Sequence, residues 1–171
     1  MNQVLIALGS NMAKEKNVPA ALALLRAQPA VEVRAASPIY ETTPVGRDGQ
    51  PSAQPPFHNG TVLVETTLTP GELCTVLRQI EAQLGRVRTA DKFAARPIDL
   101  DIAMVRQTTD GAAEMVYADP DILHFSHLSA PLADLAPDWI MPQTGESLRA
   151  IAERHRHRNH PSPRKVYWST R

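Results

Sequence analysis

The sequence predicts an α+β domain with a ferredoxin-like βαββαβ antiparallel sheet, helices on one face and extra C-terminal elements. Three observations support this fold class: apolar runs of strand length, apolar residues at helical spacing, and the order in which these segments follow one another. The length of 171 residues is typical of one domain. Because neither an internal repeat nor a second core is evident, we expect one domain over residues 1–153 and a basic tail over 154–171.

Each predicted strand is a short apolar or alternating run that ends at turn residues. These strands cover residues 4–8, 31–39, 57–66 and 98–105, with a hairpin strand at 115–117 after the Asp110-Gly111 turn. Within the third strand, Val62 and Val64 point to one face and Leu63 and Glu65 to the other. The alternation predicts a sheet whose two faces carry different residues.

The predicted helices have apolar residues three and four positions apart. They cover residues 15–27, 69–84, 126–136 and 145–154. The second helix has the clearest boundaries, because Thr69 is an N-cap residue, Pro70 follows it at the first helical position, and Glu72 lies three residues after the cap. Gly85 is expected to end this helix.

Charge is balanced overall but unevenly distributed. Lys and Arg number 18, as do Asp and Glu, yet the residues after Glu153 include six basic residues and no acidic one. The first 153 residues therefore hold 12 basic and 18 acidic residues, a net charge of −6. An acidic body is a poor match for a nucleic-acid binder, so we expect no nucleic-acid partner. We also expect no membrane partner, because no apolar run approaches the roughly 18 residues that a membrane span needs.

The single cysteine, Cys74, excludes an internal disulfide, and the N-terminus lacks the basic and apolar segments of a signal peptide. These features predict a cytoplasmic location. The tail carries His155, His157 and His160 among its arginines. It is either a solvated basic end, which a segment poor in apolar residues favours, or a segment that binds a metal or an anionic partner.

Two aspartates in the fourth predicted strand are the most informative feature. Residues i and i+2 of a strand point to the same face, so Asp99 and Asp101 lie about 7 Å apart while Ile98, Leu100 and Ile102 face the core. Two like charges at this separation repel one another, and a divalent cation such as Mg²⁺ relieves the repulsion. The alternative is a solvated pair of aspartates near a strand end.

A basic loop precedes these aspartates, with Arg86, Arg88, Lys92 and Arg96 within eleven residues. Arginine side chains bind phosphate oxygens in a bidentate manner, and a carboxylate pair beside them is suited to phosphoryl transfer. From spacing alone, a solvated loop explains the charges equally well. The sequence lacks the glycine-rich Walker motif, which argues against that type of nucleotide site.

Other polar residues give less specific signals. Phe57 offers a ring for stacking and Asn59 an amide that can both donate and accept, although a buried Phe beside a turn Asn would look the same. A lone residue such as His124 is usually structural, and Glu81 is expected to be an exposed helix-face carboxylate. Cys74 interrupts an apolar helix pattern and is expected to be packed.

Several motifs together resemble the hydroxymethyldihydropterin pyrophosphokinases, the folate-pathway enzymes that transfer a pyrophosphoryl group from ATP to a pterin alcohol. The matching segments are Leu-Gly-Ser-Asn at 8–11, Tyr-Glu-Thr-Thr-Pro-Val-Gly at 40–46, Phe-His-Asn at 57–59, Ile-Glu at 80–81, Gly-Arg-Val-Arg at 85–88 and Arg-Pro-Ile-Asp-Leu-Asp at 96–101. The resemblance covers about residues 4–105 and continues more loosely through 135–137.

The resemblance implies a ferredoxin-like fold, ATP as co-substrate, AMP as product and two Mg²⁺ ions held by Asp99 and Asp101. It implies catalytic roles for Arg86 and Arg96 together with the two aspartates. Residues implied to bind the pterin are Asn11, Thr42, Thr43, Val45, Phe57 and Asn59. Residues implied to bind ATP are Glu81, Arg88, Phe93, Ile102 and His124. We expect the partners to be these two small molecules and the protein to be a monomer.

The chain departs from the family pattern after His124, where the segment up to Pro131 is several residues shorter. Two alternatives to the enzyme therefore stay open: a non-catalytic paralogue that binds a pterin or a nucleotide, and a pyrophosphokinase for a different pterin or small alcohol. Retention of Asp99 and Asp101 favours an enzyme, because a pure binder has little need for two metal-binding carboxylates.

Overall fold

The structure is a computed structural model that describes residues 1–44, 52–87, 94–157 and 164–166. The strands in these ranges are β1 (Asn2–Ser10), β2 (Val31–Ala36), β3 (Ile39–Thr42), β4 (Phe57–Thr66), β5 (Asp99–Thr109), β6 (Ala112–Ala118) and β7 (Arg164–Val166). The helices are α1 (Lys14–Arg26), α2 (Pro70–Gln83), α3 (Ser126–Leu135) and α4 (Leu148–His157), with a 3-10 helix at Pro120–Leu123. The predicted α+β class is confirmed.

All pairs in the sheet are antiparallel, and the strand order is β6-β5-β1-β4-β3-β7, with β2 also paired to β4. The prediction of one strand over residues 31–39 was wrong, because β2 and β3 pair with different halves of β4. Pro38 separates them, since proline has no N–H to donate to a sheet. Ser37 bridges the break: its N–H donates to the Thr61 carbonyl and its hydroxyl accepts from the Thr61 N–H, both at 2.9 Å.

Helices α1 and α2 pack on one face of the sheet, as the sequence predicts. Their apolar residues form a buried cluster with alternate residues of the strands, including Val4, Ile6, Val62 and Val64. The N-terminus of α2 forms the predicted capping box, in which the Thr69 hydroxyl accepts from the Glu72 N–H and the Glu72 carboxylate accepts from the Thr69 N–H. Local side-chain chemistry therefore fixes where this helix begins.

Helices α3 and α4 cover the opposite face, so the expectation of no second core was wrong. Leu5, Met104, Ile122, Leu132 and Leu148 belong to a second buried cluster on that face. The central strand β1 is apolar on both sides for this reason, with Leu5 and Ala7 facing α3 and α4. A single apolar run of this kind predicts a buried strand but does not reveal that two separate layers bury it.

An irregularity in β5 directs its residues to the two faces. Ile6 of β1 pairs with Ile102 and Leu5 pairs with Met104, so Ala103 is an extra residue. Leu100 and Ile102 pack towards α1 and α2, as predicted, whereas Ala103 and Met104 pack towards α3 and α4. Asp99 and Asp101, the two aspartates of β5, alternate with Leu100 and Ile102 and therefore lie on the α3 and α4 face.

The residues of the basic tail are part of the fold where the structure describes them. Helix α4 continues to His157, so the predicted domain boundary at 153/154 falls inside a helix, and β7 pairs with β3. The interpretation of a solvated end was wrong for His155, which is only 4% exposed. In the described ranges, no helix is both long enough and apolar enough to cross a membrane.

Candidate active site

Several of the predicted site residues meet at one end of the sheet, on the face that α3 and α4 cover elsewhere. Asp99 of β5 pairs with Gly9 of β1, Gly9 pairs with Asn59 of β4, and Asn59 pairs with Tyr40 of β3. Directly paired residues share a face, and neighbouring strands lie about 4.8 Å apart, so two strand spacings, about 10 Å, separate Asp99 from Asn59. The register alone therefore places a carboxylate and an amide on opposite sides of a glycine.

Gly9 provides a floor without a side chain between these two groups. A Cβ atom at this position would lie 3.1 Å from Asn59 Oδ1 and 3.9 Å from a ring carbon of Phe57. The Asn59 amide and the Phe57 ring can therefore lie close over the backbone at this position because the residue is glycine.

The Asp99 carboxylate is held by two arginines from the basic loop. Its Oδ1 accepts a hydrogen bond from Arg86 Nη1, and its Oδ2 lies 2.5 Å from Arg96 Nη1. Burial raises the pKa of the Asp99 carboxyl, but the hydrogen bonds and charges of Arg86 and Arg96 outweigh burial, so its pKa lies below the usual value. Asp99 is therefore ionised at neutral pH, with both of its oxygens paired to arginines.

Glu81 holds the Arg86 guanidinium in position. Its carboxylate accepts from Arg86 Nη1 at 2.7 Å and from the Leu100 N–H at 2.9 Å, and Arg86 also donates to the Ile98 carbonyl at 3.0 Å. The expectation of an exposed helix-face carboxylate was wrong, because Glu81 is only 2% exposed. Burial of this carboxylate is offset by its contacts with a guanidinium and a backbone N–H. Glu81 thereby joins the end of α2 to the start of β5.

Arg96 connects the aspartate to the aromatic side of the pocket. Its guanidinium lies over the Phe57 ring, 5.9 Å from the ring centroid. Its backbone N–H donates to Asn11 Oδ1 at 2.8 Å, and the Asn11 amide donates to Gln54 Oε1 at 3.1 Å. Ser10 adds a hydrogen bond from its hydroxyl to the Pro97 carbonyl at 2.6 Å. The turn after β1 therefore holds the segment that carries Arg96.

The predicted pterin-binding residues lie beside Phe57. The Asn59 amide donates to the Thr42 hydroxyl at 2.7 Å, which fixes the orientation of the amide. Asn59 is buried, Phe57 and Thr42 are half-buried, and Thr43 is exposed at the end of β3. Val45 lies outside the described residues. The arrangement offers an aromatic ring and amide and hydroxyl groups to one flat polar ligand.

Asp101 and the 3-10 helix lie on the other side of Asp99. The Asp101 side chain is exposed, and the Asp119 N–H that starts the 3-10 helix donates to the Ala103 carbonyl at 2.9 Å. Burial raises the pKa of Tyr117, and the charges of Asp119, Asp101 and Asp121 raise it further. Several carboxylates therefore give this edge of the pocket a negative potential, which favours a cation.

Residues predicted to bind ATP differ in how the structure places them. His124 is exposed and directly follows the 3-10 helix, whereas the Ile102 side chain packs against the α1 and α2 cluster on the opposite face. An ATP contact by Ile102 would therefore involve its backbone. Arg88 and Phe93 lie outside the described residues.

The donor set at Asp99 and Asp101 fits Mg²⁺. Both side chains supply hard carboxylate oxygens on one sheet face, and no group of three His, Cys, Asp or Glu residues among the described residues could form a complete metal cage. Mg²⁺ sites in phosphate-transfer enzymes typically use one or two carboxylates and take their other ligands from phosphates and water. A two-carboxylate site is therefore sufficient for magnesium bound together with a polyphosphate.

Some residues of the site carried no recognisable signal in the sequence. The Gly-Ser-Asn turn is too common to show that Gly9 forms a pocket floor, and only the strand register reveals this role. The ion pair between Glu81 and Arg86 joins residues five positions apart across the end of α2. It contributes to the site because Glu81 also accepts a hydrogen bond from Leu100 in β5. A prediction of either would have required the register of β1 against β5.

Comparison with known proteins gives one consistent family. The profile described as 7,8-dihydro-6-hydroxymethylpterin-pyrophosphokinase (HPPK) matches residues 5–137. The chain is 34% identical over 143 residues to the 2-amino-4-hydroxy-6-hydroxymethyldihydropteridine pyrophosphokinase of Pseudomonas aeruginosa, covering 83% of this chain and 85% of that protein. It is 38% identical over 135 residues to the Bacillus subtilis protein of the same name, covering 78% of each.

The fold is similar to that of the wild-type HPPK-DHPS crystal structure from Plasmodium falciparum with SDX-DHP. The TM-score is 0.69 at 14% sequence identity, over 98% of this chain and 48% of that chain. The chain thus spans about half the length of that solved protein. At this identity, the likeness shows the fold alone.

Proposed function

The chain belongs to the 7,8-dihydro-6-hydroxymethylpterin-pyrophosphokinase family, and we propose that it makes the pterin diphosphate of folate biosynthesis. In this reaction the hydroxymethyl oxygen of 6-hydroxymethyl-7,8-dihydropterin forms a bond to the β-phosphorus of ATP. The bond between that phosphorus and the bridging α,β-oxygen breaks, AMP leaves, and the hydroxyl proton is lost. The observation that carries the proposal is the placement of Asp99 and Asn59 on one sheet face with Gly9 between them.

The two arginines are the groups proposed to bind the phosphates. Arg86 and Arg96 both contact Asp99, so a polyphosphate that approaches this carboxylate meets two guanidinium groups. Guanidinium groups stabilise the charge that develops on phosphate oxygens during transfer. Glu81 keeps Arg86 in position when phosphate oxygens compete for its contact with Asp99.

Asp99 and Asp101 would hold the two Mg²⁺ ions that the family resemblance implies. Bound magnesium would neutralise charge on the bridging phosphate oxygens and lower the pKa of the attacking hydroxyl. Asp99 is ionised and Asp101 is exposed beside it, so both can accept a cation without rearrangement of the sheet.

The pterin side of the pocket would orient the alcohol. Asn59, with its amide held by Thr42, can donate to and accept from the polar edge of a pterin, and Phe57 can stack on its ring. Asn11 supports the segment that carries Arg96, and Thr43 and Val45 are proposed to complete the pterin side. Residues about 10 Å apart on one sheet face would bind the two substrates side by side, which would bring the hydroxymethyl oxygen within reach of the β-phosphorus.

ATP is proposed to extend from Asp99 towards the 3-10 helix. Glu81, Arg88, Phe93, Ile102 and His124 are the residues proposed for this side, on the basis of matching position. The cytoplasmic location and the monomeric state stay predictions from the sequence.

The proposal is tested by product analysis. The protein is incubated with Mg²⁺, ATP and 6-hydroxymethyl-7,8-dihydropterin, and nucleotides and pterins are separated by chromatography. We expect AMP and the pterin diphosphate in equal amounts. The control acceptor is 6-methyl-7,8-dihydropterin, which lacks the hydroxyl group and should give no AMP. Formation of ADP, or of AMP equally with both acceptors, would contradict the proposal.

A further inference from the structure

A buried histidine from the C-terminal helix contacts the segment that carries His124. His155 of α4 is 4% exposed, and its Nε2 lies 3.1 Å from the carbonyl oxygen of Leu123. Its Nδ1 lies 2.7 Å from the hydroxyl oxygen of Ser129 in α3, which is completely buried. One imidazole ring therefore joins α4, α3 and the end of the 3-10 helix.

The contacts define the protonation pattern of the neutral ring. A carbonyl oxygen can only accept, so Nε2 carries the proton and donates it to Leu123. Nδ1 then acts as an acceptor, and the Ser129 hydroxyl donates to it. Loss of the Nε2 donor would leave the Leu123 carbonyl without this hydrogen bond at the residue that precedes His124.

The contact with Leu123 matters because His124 is on the proposed ATP side of the site. His124 ends the 3-10 helix, and its N–H donates to the Asp121 carbonyl at 3.0 Å. The other end of this helix is fixed to β5 by the hydrogen bond from Asp119 to Ala103. His155 fixes the end that carries His124.

From this geometry we infer that His155 is a positioning residue for ATP binding, acting through the Leu123 carbonyl on the orientation of His124. This inference rests on the proposed function, because it takes the His124 side of the pocket as the ATP side. Packing alone does not require an imidazole here, since Leu132, Leu148 and Ile151 already bury α3 and α4 against the sheet. What the imidazole adds is a donor directed at one backbone carbonyl.

Two amide substitutions each keep one of the two hydrogen bonds that the His155 ring makes. In His155→Gln, the amide nitrogen occupies roughly the position of Nε2 and can still donate to Leu123. In His155→Asn, the shorter side chain occupies roughly the position of Nδ1 and reaches only Ser129. Both variants place a polar amide of similar chemistry at the same buried site, so they differ in which contact of the ring they keep, Leu123 for Gln and Ser129 for Asn.

Binding of Mg²⁺ with α,β-methylene-ATP, which cannot transfer a pyrophosphoryl group, is measured by calorimetry for each full-length variant. We expect His155→Asn to weaken this binding about 10-fold and His155→Gln to stay within about 2-fold of the unsubstituted protein. In turnover assays, His155→Asn should raise the KM for ATP by a similar factor and leave the KM for the pterin unchanged.

Two controls distinguish positioning from a general loss of stability. Ser129→Ala removes the partner of Nδ1 and keeps the donor to Leu123. Val18→Ala lowers stability by a cavity under α1, on the opposite face of the sheet. Both variants should melt at a lower temperature and bind the ATP analogue within about 2-fold of the unsubstituted protein.

The outcomes separate this inference from the proposed function. Equal binding by the Asn and Gln variants, or a loss of ATP binding in Val18→Ala as large as in His155→Asn, would overturn the positioning role. Failure of the unsubstituted protein to bind the analogue would also overturn it. If the unsubstituted protein binds the analogue with the expected Asn and Gln difference but forms no AMP, the proposed function fails and the positioning role stands.

Discussion

At the scale of single residues, the site is a balanced group of charges, which we propose exchange partners when phosphate binds. Glu81 and Asp99 face Arg86, and Arg96 contacts the second oxygen of Asp99. Each arginine therefore has a carboxylate partner in the absence of a ligand, which limits the cost of holding charges in a half-buried pocket. Phosphate oxygens can replace Asp99 as the partner of both guanidinium groups, and Asp99 is then released to a cation.

We predict that Arg96→Ala lowers kcat by at least about 100-fold, because one of the two groups that stabilise developing phosphate charge is lost. The KM for the pterin should rise only a few-fold, since the contact over Phe57 is a single cation–π interaction. Steady-state kinetics with both substrates measure the two effects. Arg149→Ala, at an exposed pair with Asp138, is the control and should change neither. A kcat for Arg96→Ala equal to that of the control would remove the arginine from the mechanism.

We predict that Gly9→Ala raises the KM for the pterin about 10-fold, because its Cβ would lie 3.1 Å from Asn59 Oδ1 and displace the amide. The KM for ATP should change little. Gly71→Ala is the matched control, since a Cβ at Gly71 meets no heavy atom within 4 Å. That control should keep both KM values and add up to about 1 kcal/mol of stability within α2. An unchanged pterin KM in Gly9→Ala would show that the floor between Asp99 and Asn59 is not a binding surface.

The sequence predicted which face of a strand a residue occupies better than it predicted the contacts of that residue. Alternation in β5 correctly placed Asp99 and Asp101 on one face, because strand periodicity is a local property. It did not reveal that Glu81 is buried or that His155 joins three elements, because both depend on residues that are distant in the chain. Buried polar residues look like surface residues until their partners are known.

At the scale of elements, helix ends and turns that depend on nearby side chains could be predicted, whereas irregularities within a strand could not. The start of α2 follows from Thr69 and Glu72, and the hairpin between β5 and β6 follows from Asp110 and Gly111, whose φ angles of 51° and 82° match a tight turn. The extra residue at Ala103 in β5 depends on packing against two helical layers. No pattern in the sequence of β5 specifies that position.

Two histidines make the stability of the elements around the site dependent on pH. Burial lowers the pKa of His127 in the first turn of α3 to about 4, against a raising effect of Asp121. Burial and the nearby charge of Lys14 lower the pKa of His58 in β4 below its usual value. The unfolded chain, with histidine pKa values near 6.5, then binds protons before the folded protein does, so falling pH favours unfolding.

We therefore predict that the free energy of unfolding decreases by about 1–2 kcal/mol between pH 7 and pH 5. Urea denaturation at the two pH values measures this change. His127→Gln should reduce the difference between them, whereas His157→Gln, at an exposed position at the end of α4, should preserve it. Stability that stays constant or increases towards pH 5 would contradict this interpretation.

At the scale of the whole molecule, the C-terminal segment supports the strand that leads to the pterin side. β7 pairs with β3, and Lys165 lies over the Tyr40 ring and 3.3 Å from Asp134. The Tyr40 hydroxyl donates to Asp134 at 2.5 Å, and burial followed by this hydrogen bond raises the pKa of Tyr40. Strand β3 ends at Thr42, so these contacts extend from the C-terminus to the pocket.

We predict that a chain ending at His157 loses about 1 kcal/mol of stability and has a raised KM for the pterin, because β3 becomes an edge strand and Asp134 loses a partner. The KM for ATP should be unaffected, since α4 and its contact with Leu123 are retained. Thermal denaturation and two-substrate kinetics provide the measurements. Lys165→Ala removes the side-chain contacts with Tyr40 and Asp134 but keeps the pairing of β7 with β3, so it measures the two effects separately. Unchanged stability and pterin KM in the shortened chain would show that β7 has no supporting role.

The sheet and the first helical layer, formed by α1 and α2, could be predicted from the sequence. The order of strands and helices predicted the antiparallel sheet and the placement of α1 and α2, because βαββαβ connectivity leaves few alternatives. The two helices of the second layer were predicted, but their placement on the opposite face was not, because these segments are short and the proline-rich chain between residues 119 and 143 has weak periodicity. The pocket lies where this second layer ends, and therefore its shape could not be obtained from the order of elements alone.

The most direct measurement is the rate of AMP formation as a function of Mg²⁺ concentration for the unsubstituted protein and for Asp101→Asn. Asp101 is exposed, so the variant should fold and melt normally, as should the control Asp138→Asn, whose aspartate side chain is 85% exposed. We predict a magnesium-dependent rate for the unsubstituted protein and the control, and a rate at least about 100-fold lower for Asp101→Asn. A rate for Asp101→Asn close to that of the control would contradict the assignment of these two carboxylates to magnesium.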